Sequence, residues 1–335
     1  MAVRTQTDST PRVSVVVPAY DEEGGIAELV DRLVPVLRVH GTFEILFVDD
    51  GSTDGTLPAI KRQQARHPEV GYLSFSRNFG HQAALRAGLA YARGECVISM
   101  DADLQHPPEL IHELVARWEG GDEIVYTVRQ EGARVGPFKR ITSRLFYGIM
   151  NVLSGVRIQD GAADFRLISR PVLDILNRLD ENPLFLRGML AWLGFRQSGI
   201  RYAPAPRAHG TSKYTLGRMV HLALEGITSF SIKPLNLALA ASGAVAVLAL
   251  AYSLYALYVR LFTGNAVPGW TSVLAAVLWL GAVQLLILGI MGEYLGRLFV
   301  EAKHRPPFVI RESSLDARAR RRTTFVLRES SLDHD

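Results

Sequence analysis

The chain has 335 residues, with 37 Lys and Arg against 33 Asp and Glu, and a formal net charge of +4. So small a positive surplus, without a basic stripe interleaved with aromatic residues, argues against a nucleic-acid-binding protein. A single cysteine excludes an internal disulfide. The polar residues 1–11 lack the apolar stretch of a secretory signal, so we expect the catalytic part to stay in the cytoplasm.

Short apolar strands alternate with amphipathic helices along the first 130 residues. The predicted strands are 13–17, ended by Pro18, and then 43–48, 70–74, 96–100 and 123–128. The predicted helices are 26–37, which Pro35 can shorten, and then 53–66, 81–92 and 108–118. This alternation predicts right-handed βαβ units and an α/β fold with a mostly parallel, Rossmann-like sheet.

Polar clusters follow four of these strands, at residues 18–23, 49–52, 76–81 and 101–105. Ligands of parallel sheets bind beyond the carboxyl ends of the strands. The four clusters therefore predict one site at this edge.

Asp101 and Asp103 come directly after a buried-looking strand, with Gln105 two residues further on. Carboxylates at this spacing in a turn can face one hard cation, and we expect them to hold Mg²⁺ or Mn²⁺ together with substrate phosphates. An Asp-x-Asp pair is also common on solvated turns, so the prediction depends on the strand before it and the helix after it.

The nucleotide signatures of two other classes are missing. No G-x-G-x-x-G follows the first strand and no P-loop occurs, which argues against a dinucleotide-dependent dehydrogenase and a P-loop NTPase. Asp49, after the second strand, is a candidate acceptor of hydrogen bonds from a base or ribose; a plain Asp-Gly-Ser turn is the alternative.

Two long uncharged stretches, residues 234–259 and 264–292, predict a transmembrane hairpin. Buried helices of a soluble core are the alternative. Positive charges concentrate before and after the pair, whereas the loop between offers Arg260 alone. The positive-inside rule then puts the catalytic domain and both termini on the cytoplasmic side of the cell membrane. The flanking cations are Arg218, Lys233, Arg297, Lys303 and Arg305.

These features divide the chain into five segments. They are a flexible N-terminus (1–11), a catalytic domain (12–213), an interfacial helix within 214–233, the hairpin (234–292) and a basic cytoplasmic tail (293–335). The tail contains a duplicated nonapeptide, because residues 308–316 recur as 325–333. Each copy could form a strand that pairs with a neighbouring subunit; a neutral duplication is the alternative. The arginines within 318–322 should favour anionic headgroups.

Seven segments together resemble the inverting family 2 glycosyltransferases with a GT-A fold: residues 15–23, 48–55, 76–82, 101–109, 163–167, 210–214 and 292–297. With two C-terminal spans, the chain is similar to the polyprenyl-phosphate branch, which includes bactoprenol glucosyltransferases and, more distantly, dolichol-phosphate mannose synthase. The resemblance implies inverting transfer of a sugar from a nucleotide diphosphate donor, UDP-glucose or a related UDP-hexose, to an undecaprenyl-type polyprenyl phosphate. It also implies a homo-oligomer, with a tetramer as one candidate.

Three other functions stay open. The first is GDP-mannose-dependent mannosyl transfer to polyprenyl phosphate. The second is a processive polysaccharide synthase, although Leu114 stands where its Gln-x-x-Arg-Trp motif requires glutamine before Arg117 and Trp118. The third is a membrane-tethered, non-catalytic nucleotide-sugar binder, which would have no need of a metal at the leaving group.

The resemblance assigns roles to residues of this chain. Nucleotide-sugar binding falls to Pro18, Tyr20, Glu22, Asp49, Ser52, Arg77, Asp101 and Asp103, and metal binding to Asp101, Asp103 and Gln105. The catalytic group is Asp103, Asp164, Arg166 and Lys213. The cations available for the acceptor phosphate are Arg129, Arg134, Arg207 and Lys213.

One departure from the family pattern concerns Asp164, because Asp160-Gly161-Ala162-Ala163 precedes it where the family has Thr-Gly. It stays open whether Asp160 or Asp164 faces the sugar. A phosphate monoester, with a second pKa of about 6, is largely deprotonated at neutral pH. A strong general base is therefore not required, and we expect Asp164 to orient the reactants.

Overall fold

The structure is a computed structural model that describes residues 10–130, 162–179, 186–203, 233–262 and 269–315. These residues fall into two compact units. One unit contains a sheet, the helices packed on it and the segment from Pro306 onward, and the other contains two long apolar helices.

The first unit is built on eight strands. They are β1 (Val13–Ala19), β2 (Phe43–Asp49), β3 (Val70–Phe75), β4 (Cys96–Ser99), β5 (Ile124–Arg129), β6 (Ala162–Ser169), β7 (Gln197–Tyr202) and β8 (Ile310–Ser313). The helices are α1 (Ile26–Arg38), α2 (Thr56–Arg66), α3 (His81–Tyr91), α4 (Ile111–Glu119), α5 (Arg170–Leu176) and α6 (Leu186–Trp192). A 3₁₀ turn, Pro108–Leu110, precedes α4.

The strands form one sheet in the order β7-β5-β6-β4-β1-β2-β3-β8. The four central strands, β4, β1, β2 and β3, are parallel to one another, and β5 is parallel to β7. The pairs β4–β6, β5–β6 and β3–β8 are antiparallel. The predicted α/β architecture with a mostly parallel sheet is therefore confirmed.

Helices cover both faces of the central strands, which explains why β1 and β2 are buried along their whole length. Side chains of a strand alternate between faces. Ile45 and Phe47 of β2 accordingly join a core with α1, α2 and α4, whereas Leu46 and Val48 join a second core with α3.

Helix α3 lies directly against β1 because residue 88 is glycine. A Cβ added to Gly88 would lie 2.1 Å from Cγ1 of the buried Val16. We expect Gly88→Ala to lower the free energy of unfolding by about 1–3 kcal/mol, because strand and helix must separate to admit the methyl group. Thermal unfolding of the detergent-solubilised chain measures this. Gly24→Ala is the matched control, since no heavy atom lies within 4 Å of a Cβ at Gly24; equal melting temperatures for the two variants would contradict the packing.

Several predicted boundaries differ from the structure by one to three residues, and the positions around Pro18, Pro35 and Thr53 show why. Strand β1 runs through Pro18 to Ala19, since Pro18 is in register only with Val48 of β2 after the pairing with β4 has ended at Val16. Helix α1 continues past Pro35. Helix α2 starts at Thr56 because Thr53 and Asp54 form the preceding turn, in which Asp54 accepts hydrogen bonds from Thr56.

Strands β6 and β7 were not predicted from the sequence. Strand β8 belongs to the first copy of the duplicated nonapeptide and pairs with β3 of its own chain. A strand in this segment is thus confirmed, while its partner is within the chain.

The second unit contains α7 (Lys233–Phe262) and α8 (Trp270–Ala302). Both are long and apolar enough to cross a membrane, over Leu235–Tyr252 and Trp279–Ala302. Their large apolar side chains are exposed, for example Leu248 and Leu285. Helix α8 extends beyond Gly292, the predicted end of the second span. The predicted interfacial helix within 214–233 lies almost wholly outside the described residues.

Candidate functional site

The loops that follow the parallel strands β1, β2, β3 and β4 meet at one edge of the sheet. The loops after β1 and β4 are in contact, since a Cβ at Gly25 would lie 3.2 Å from the carbonyl oxygen of Ala102. The loops after β2 and β3 are closer still: a Cβ at Gly51 would lie 2.4 Å from the carbonyl carbon of Arg77. Gly51 also has φ of +69°, so glycine is favoured there on two grounds.

Asp49, at the end of β2, organises the loop that was expected to hold the nucleoside. One carboxylate oxygen accepts a hydrogen bond from the backbone N–H of Ser52 (3.1 Å), and the other accepts one from the hydroxyl of Ser74 (2.8 Å). The Ser52 hydroxyl in turn accepts a hydrogen bond from the backbone N–H of Asp21 (3.1 Å). Asp49 therefore fixes the positions of the loops after β1 and β2.

Asp50 positions the start of α3. Its buried carboxylate accepts hydrogen bonds from the backbone N–H groups of Phe79 (2.7 Å) and Gly80 (2.9 Å). Burial raises the pKa of Asp50, and these two N–H groups oppose that shift. Since His81 is the first residue of α3, this clamp also sets where the His81 ring lies.

His81 lies between two carboxylates. Its Nε2 is 3.7 Å from Oδ1 of Asp101 and 3.6 Å from Oδ2 of Asp164. Burial alone would lower the pKa of His81, but the hydrogen bond to Asp164 and the charge of Asp101 raise it above its ordinary value. The imidazole of His81 thus lies between the end of β4 and the beginning of β6.

Asp164 is held by a bidentate arginine. Arg187 of α6 donates from Nε to Oδ1 (2.8 Å) and from Nη2 to Oδ2 (2.9 Å). Burial would raise the pKa of Asp164, but the hydrogen bond from His81 and the charge of Arg187 hold it well below its ordinary value. Asp164 is therefore an ionised, fixed carboxylate and a poor proton acceptor.

Arg166 lies beneath this pair, 3% exposed. Its Nη2 donates to the carbonyl oxygen of Ala163 (2.7 Å) and lies 3.5 Å from Oδ1 of Asp164. Burial lowers the pKa of Arg166 to about 10, which leaves it charged at neutral pH. Its buried Nε has no hydrogen-bond partner within the part of the chain that the structure describes.

The turn after β4 brings Asp103 and Gln105 to the site. Leu104 between them has φ of +61°, a strained conformation for a branched residue. The backbone N–H of Gln105 donates to Oδ1 of Asp103 (3.1 Å), and Oε1 of Gln105 accepts a hydrogen bond from Arg129 (2.9 Å). The amide oxygen that is predicted to bind a metal therefore also accepts a hydrogen bond from a guanidinium.

Asp101 lies near two other carboxylates, those of Asp164 and Asp103, and their negative charges repel its own. Burial raises its pKa, and the neighbouring carboxylates Asp164 and Asp103 add to that shift, against the opposing effect of His106 and His81. A divalent cation would relieve this repulsion. Among the described residues no group of three His, Cys, Asp or Glu could hold a metal. The donor set thus fits an ion bound by one or two carboxylates and completed by phosphate oxygens, as Mg²⁺ commonly is.

The structure brings most of the predicted residues to this edge. Asp101, Asp103, Gln105, Arg129, Asp164 and Arg166 lie around the ends of β4, β5 and β6. Pro18, Tyr20, Glu22, Asp49 and Ser52 lie at the ends of β1 and β2. Arg77 lies after β3, with its guanidinium 4.0 Å from the ring centroid of Phe79. Arg134, Asp160, Arg207 and Lys213 are outside the described residues.

Four residues of the site were not assigned a role from the sequence: Asp50, His81, His106 and Arg187. The first three lie inside the motif segments quoted for the resemblance, so their positions carried a signal. His106 is buried, stacks on Phe165 and accepts a hydrogen bond at Nδ1 from the backbone N–H of Asp101 (3.2 Å). Arg187 lies in no such segment, and only its contact with Asp164 reveals it.

Comparisons with known proteins identify relatives over most of the chain. The family described as Glycosyl transferase family 2 matches residues 14–176, and the family described as GtrB C-terminal hairpin matches residues 233–298. The chain is 40% identical over 301 residues to the uncharacterized glycosyltransferase YkcC of Bacillus subtilis, covering 90% of this chain and 93% of that one. It is 39% identical over 302 residues to the bactoprenol glucosyl transferase of Shigella phage SfV, covering 90% and 98%.

Among solved structures, the fold is similar to a glucosyl-3-phosphoglycerate synthase from Mycobacterium tuberculosis in complex with Mn²⁺, UDP and phosphoglyceric acid. The TM-score is 0.49 at 21% identity, covering 65% of this chain and 78% of that one.

Proposed function

This chain belongs to glycosyl transferase family 2, and we propose that it transfers a glucosyl group from UDP-glucose to the phosphate of a polyprenyl carrier, with inversion at the anomeric carbon. The proposal takes its substrates from the relatives named bactoprenol glucosyl transferase, which align with 90% of the chain, including the apolar hairpin. The chain is thus a glycosyltransferase with a GT-A-like fold. We propose UDP-glucose as its donor and a polyprenyl phosphate as its acceptor.

The observation that carries the proposal is the cluster of Asp101, Asp103 and Asp164 with His81 and Arg187 at the carboxyl edge of the sheet. A leaving nucleoside diphosphate develops negative charge on its phosphates. Asp101 and Asp103 would hold Mg²⁺ or Mn²⁺, and the bound ion would neutralise that charge. Gln105, whose amide oxygen accepts a hydrogen bond from Arg129, is the third ligand that we propose.

The same geometry suits an acceptor that needs no strong base. Asp164 is ionised and held on both oxygens by Arg187, so its contribution is to fix Arg187, Arg166 and His81 in place. The guanidinium groups of Arg187 and Arg166 would reduce the repulsion between the acceptor phosphate and the donor diphosphate. A phosphate monoester with its second pKa at about 6 is already nucleophilic at neutral pH. Catalysis then rests on positioning and charge stabilisation.

The two apolar helices suit a lipid-linked acceptor. An even number of spans returns the chain to the side on which it entered, and residues after α8 form strand β8 of the sheet. Positive residues before α7 and after α8 favour the cytoplasmic side for both ends. We therefore propose a cell-membrane protein with a cytoplasmic catalytic unit. The homo-oligomer implied by the resemblance is part of the same proposal, and light scattering in detergent would measure its size.

A donor panel tests the function. The full chain, purified in detergent, is incubated with undecaprenyl phosphate, Mg²⁺ or Mn²⁺ and one donor: UDP-glucose, UDP-galactose, UDP-N-acetylglucosamine or GDP-mannose. Mass spectrometry of the extracted lipid should find a glucosyl phosphate product with UDP-glucose. EDTA should abolish product formation, and added divalent cation should restore it. A mannosyl product with GDP-mannose would identify a mannosyltransferase, and donor binding without any lipid product would identify a binder.

A further inference from the structure

The outer edge of β3 holds residues 308–315, which belong to the first copy of the duplicated nonapeptide, in a groove that accommodates their inward side chains. We call the binding surface formed by Lys61, Gly71, Tyr72 and Phe75 the β3 groove. The ring of Phe308 stacks on Phe75, with centroids 5.2 Å apart and an interplanar angle of 6°. Ile310 is 1% exposed and pairs with Phe75. Phe308 and Ile310 are thus buried as core residues.

Polar contacts fix the register of this copy. Glu312 accepts hydrogen bonds from the ammonium of Lys61 (2.8 Å) and the hydroxyl of Tyr72 (2.5 Å). The backbone N–H of Tyr72 donates to Oγ of Ser314 (2.7 Å), and the N–H of Ser314 donates to the carbonyl oxygen of Tyr72 (3.0 Å). The groove therefore recognises a phenylalanine, an aliphatic residue, a glutamate and a serine at fixed spacing, in the manner of strand addition to a sheet edge.

The second copy, residues 325–333, repeats all but one of these side chains. The two nonapeptides differ at a single position, where Leu327 corresponds to Ile310. That exchange conserves volume and is tolerated in packed sites. The residues that correspond to Phe308, Glu312, Ser314 and Leu315 are, in the same order, Phe325, Glu329, Ser331 and Leu332.

We propose that the second copy binds in the β3 groove of its own chain in place of the first, so that the tail has two alternative docked registers. The first copy reaches the groove through the residues between Ala302 and Phe308, and the second has seventeen further residues to cover the same distance. The connection from Ala302 to the second copy is therefore long enough for the exchange. Loop-closure entropy for a connection of about 22 rather than about five residues favours the first register by roughly tenfold.

Engineered disulfides test this exchange. A Cβ at residue 71 would lie 3.4 Å from Oγ of Ser314, close enough for a disulfide between Gly71→Cys and Ser314→Cys. In the full chain, Gly71→Cys with Ser331→Cys should form the corresponding link to the second copy, about tenfold more slowly under the same mild oxidation. Peptide mass spectrometry identifies each link. The native Cys96 is buried and does not compete.

Two further substitutions make the result specific to the groove. In the Gly71→Cys/Ser331→Cys chain, Phe308→Asp should raise the rate of linking, because the first copy loses its ring stacking on Phe75. Phe325→Asp should abolish it. The link should run with the monomer on a non-reducing gel. No link to residue 331 where the link to residue 314 forms, insensitivity to Phe325→Asp, or a link found only in dimers would overturn the proposal.

Discussion

Asp103→Asn should lower kcat by at least about 100-fold while the protein stays folded. Asp103 and Asp101 are the carboxylates that would bind the cation at the leaving diphosphate, and the charge stabilisation supplied by such an ion is worth several kcal/mol; each 1.36 kcal/mol corresponds to tenfold in rate. An asparagine oxygen can still accept the backbone hydrogen bond from Gln105 that Asp103 accepts at 3.1 Å. The turn after β4 should therefore keep its conformation.

The measurement is the initial rate of lipid product formation over a range of Mg²⁺ and Mn²⁺ concentrations, with thermal unfolding alongside. The variant should need more metal for half-maximal rate. Asp31→Asn, at an exposed aspartate of α1, is the matched control and should retain wild-type activity and stability. Full activity of Asp103→Asn at low metal would show that this carboxylate is no ligand.

Asp164→Ala should destabilise the catalytic unit by about 3–5 kcal/mol, the range for removal of one partner from a buried ion pair. The substitution leaves Arg166, 3% exposed, without its carboxylate and removes both hydrogen bonds that fix Arg187. Denaturant unfolding of the detergent-solubilised chain, followed at a tryptophan of the first unit, measures the loss. Asp174→Ala removes a surface pair with Arg170, and as the control it should cost less than about 1 kcal/mol.

The loss caused by Asp164→Ala should depend on pH. In the folded chain, burial opposes the shift, but His81 and Arg187 hold the pKa of Asp164 well below the ordinary value of 3.8. A carboxyl whose pKa is lower in the folded state contributes stability above its unfolded pKa and loses it as pH falls toward the folded pKa. Because His81 owes part of its raised pKa to Asp164, the difference between wild type and variant should be complete below the ordinary histidine pKa of about 6.5 and shrink below about pH 4. A difference that continues to grow below about pH 4 would contradict the ionised state of Asp164.

Local sequence patterns were sufficient to predict the central strands, the helices between them and the edge of the sheet at which the site forms. The strands β1 to β4 and the helices between them follow from local apolar periodicity, and parallel pairing necessarily brings their carboxyl ends together. That is why Asp49, Asp101 and Asp103 could be assigned to one site before any contact was known. The apolar hairpin is equally local, since twenty or more uncharged residues in a row define a helix that can cross a bilayer.

Which charged side chains are in contact became known only from the three-dimensional fold. Arg187 and Asp164 are 23 residues apart in the chain, with no periodicity that links them. The hydrogen bond from Arg129 to Gln105 likewise depends on how β5 lies beside the turn after β4. Strand β8 joins β3 across more than 200 residues, with Glu312 bound to Tyr72 at a separation of 240. Local periodicity predicts which face of a helix or strand is buried. Which side chains contact that face depends on packing between segments that are distant in the chain.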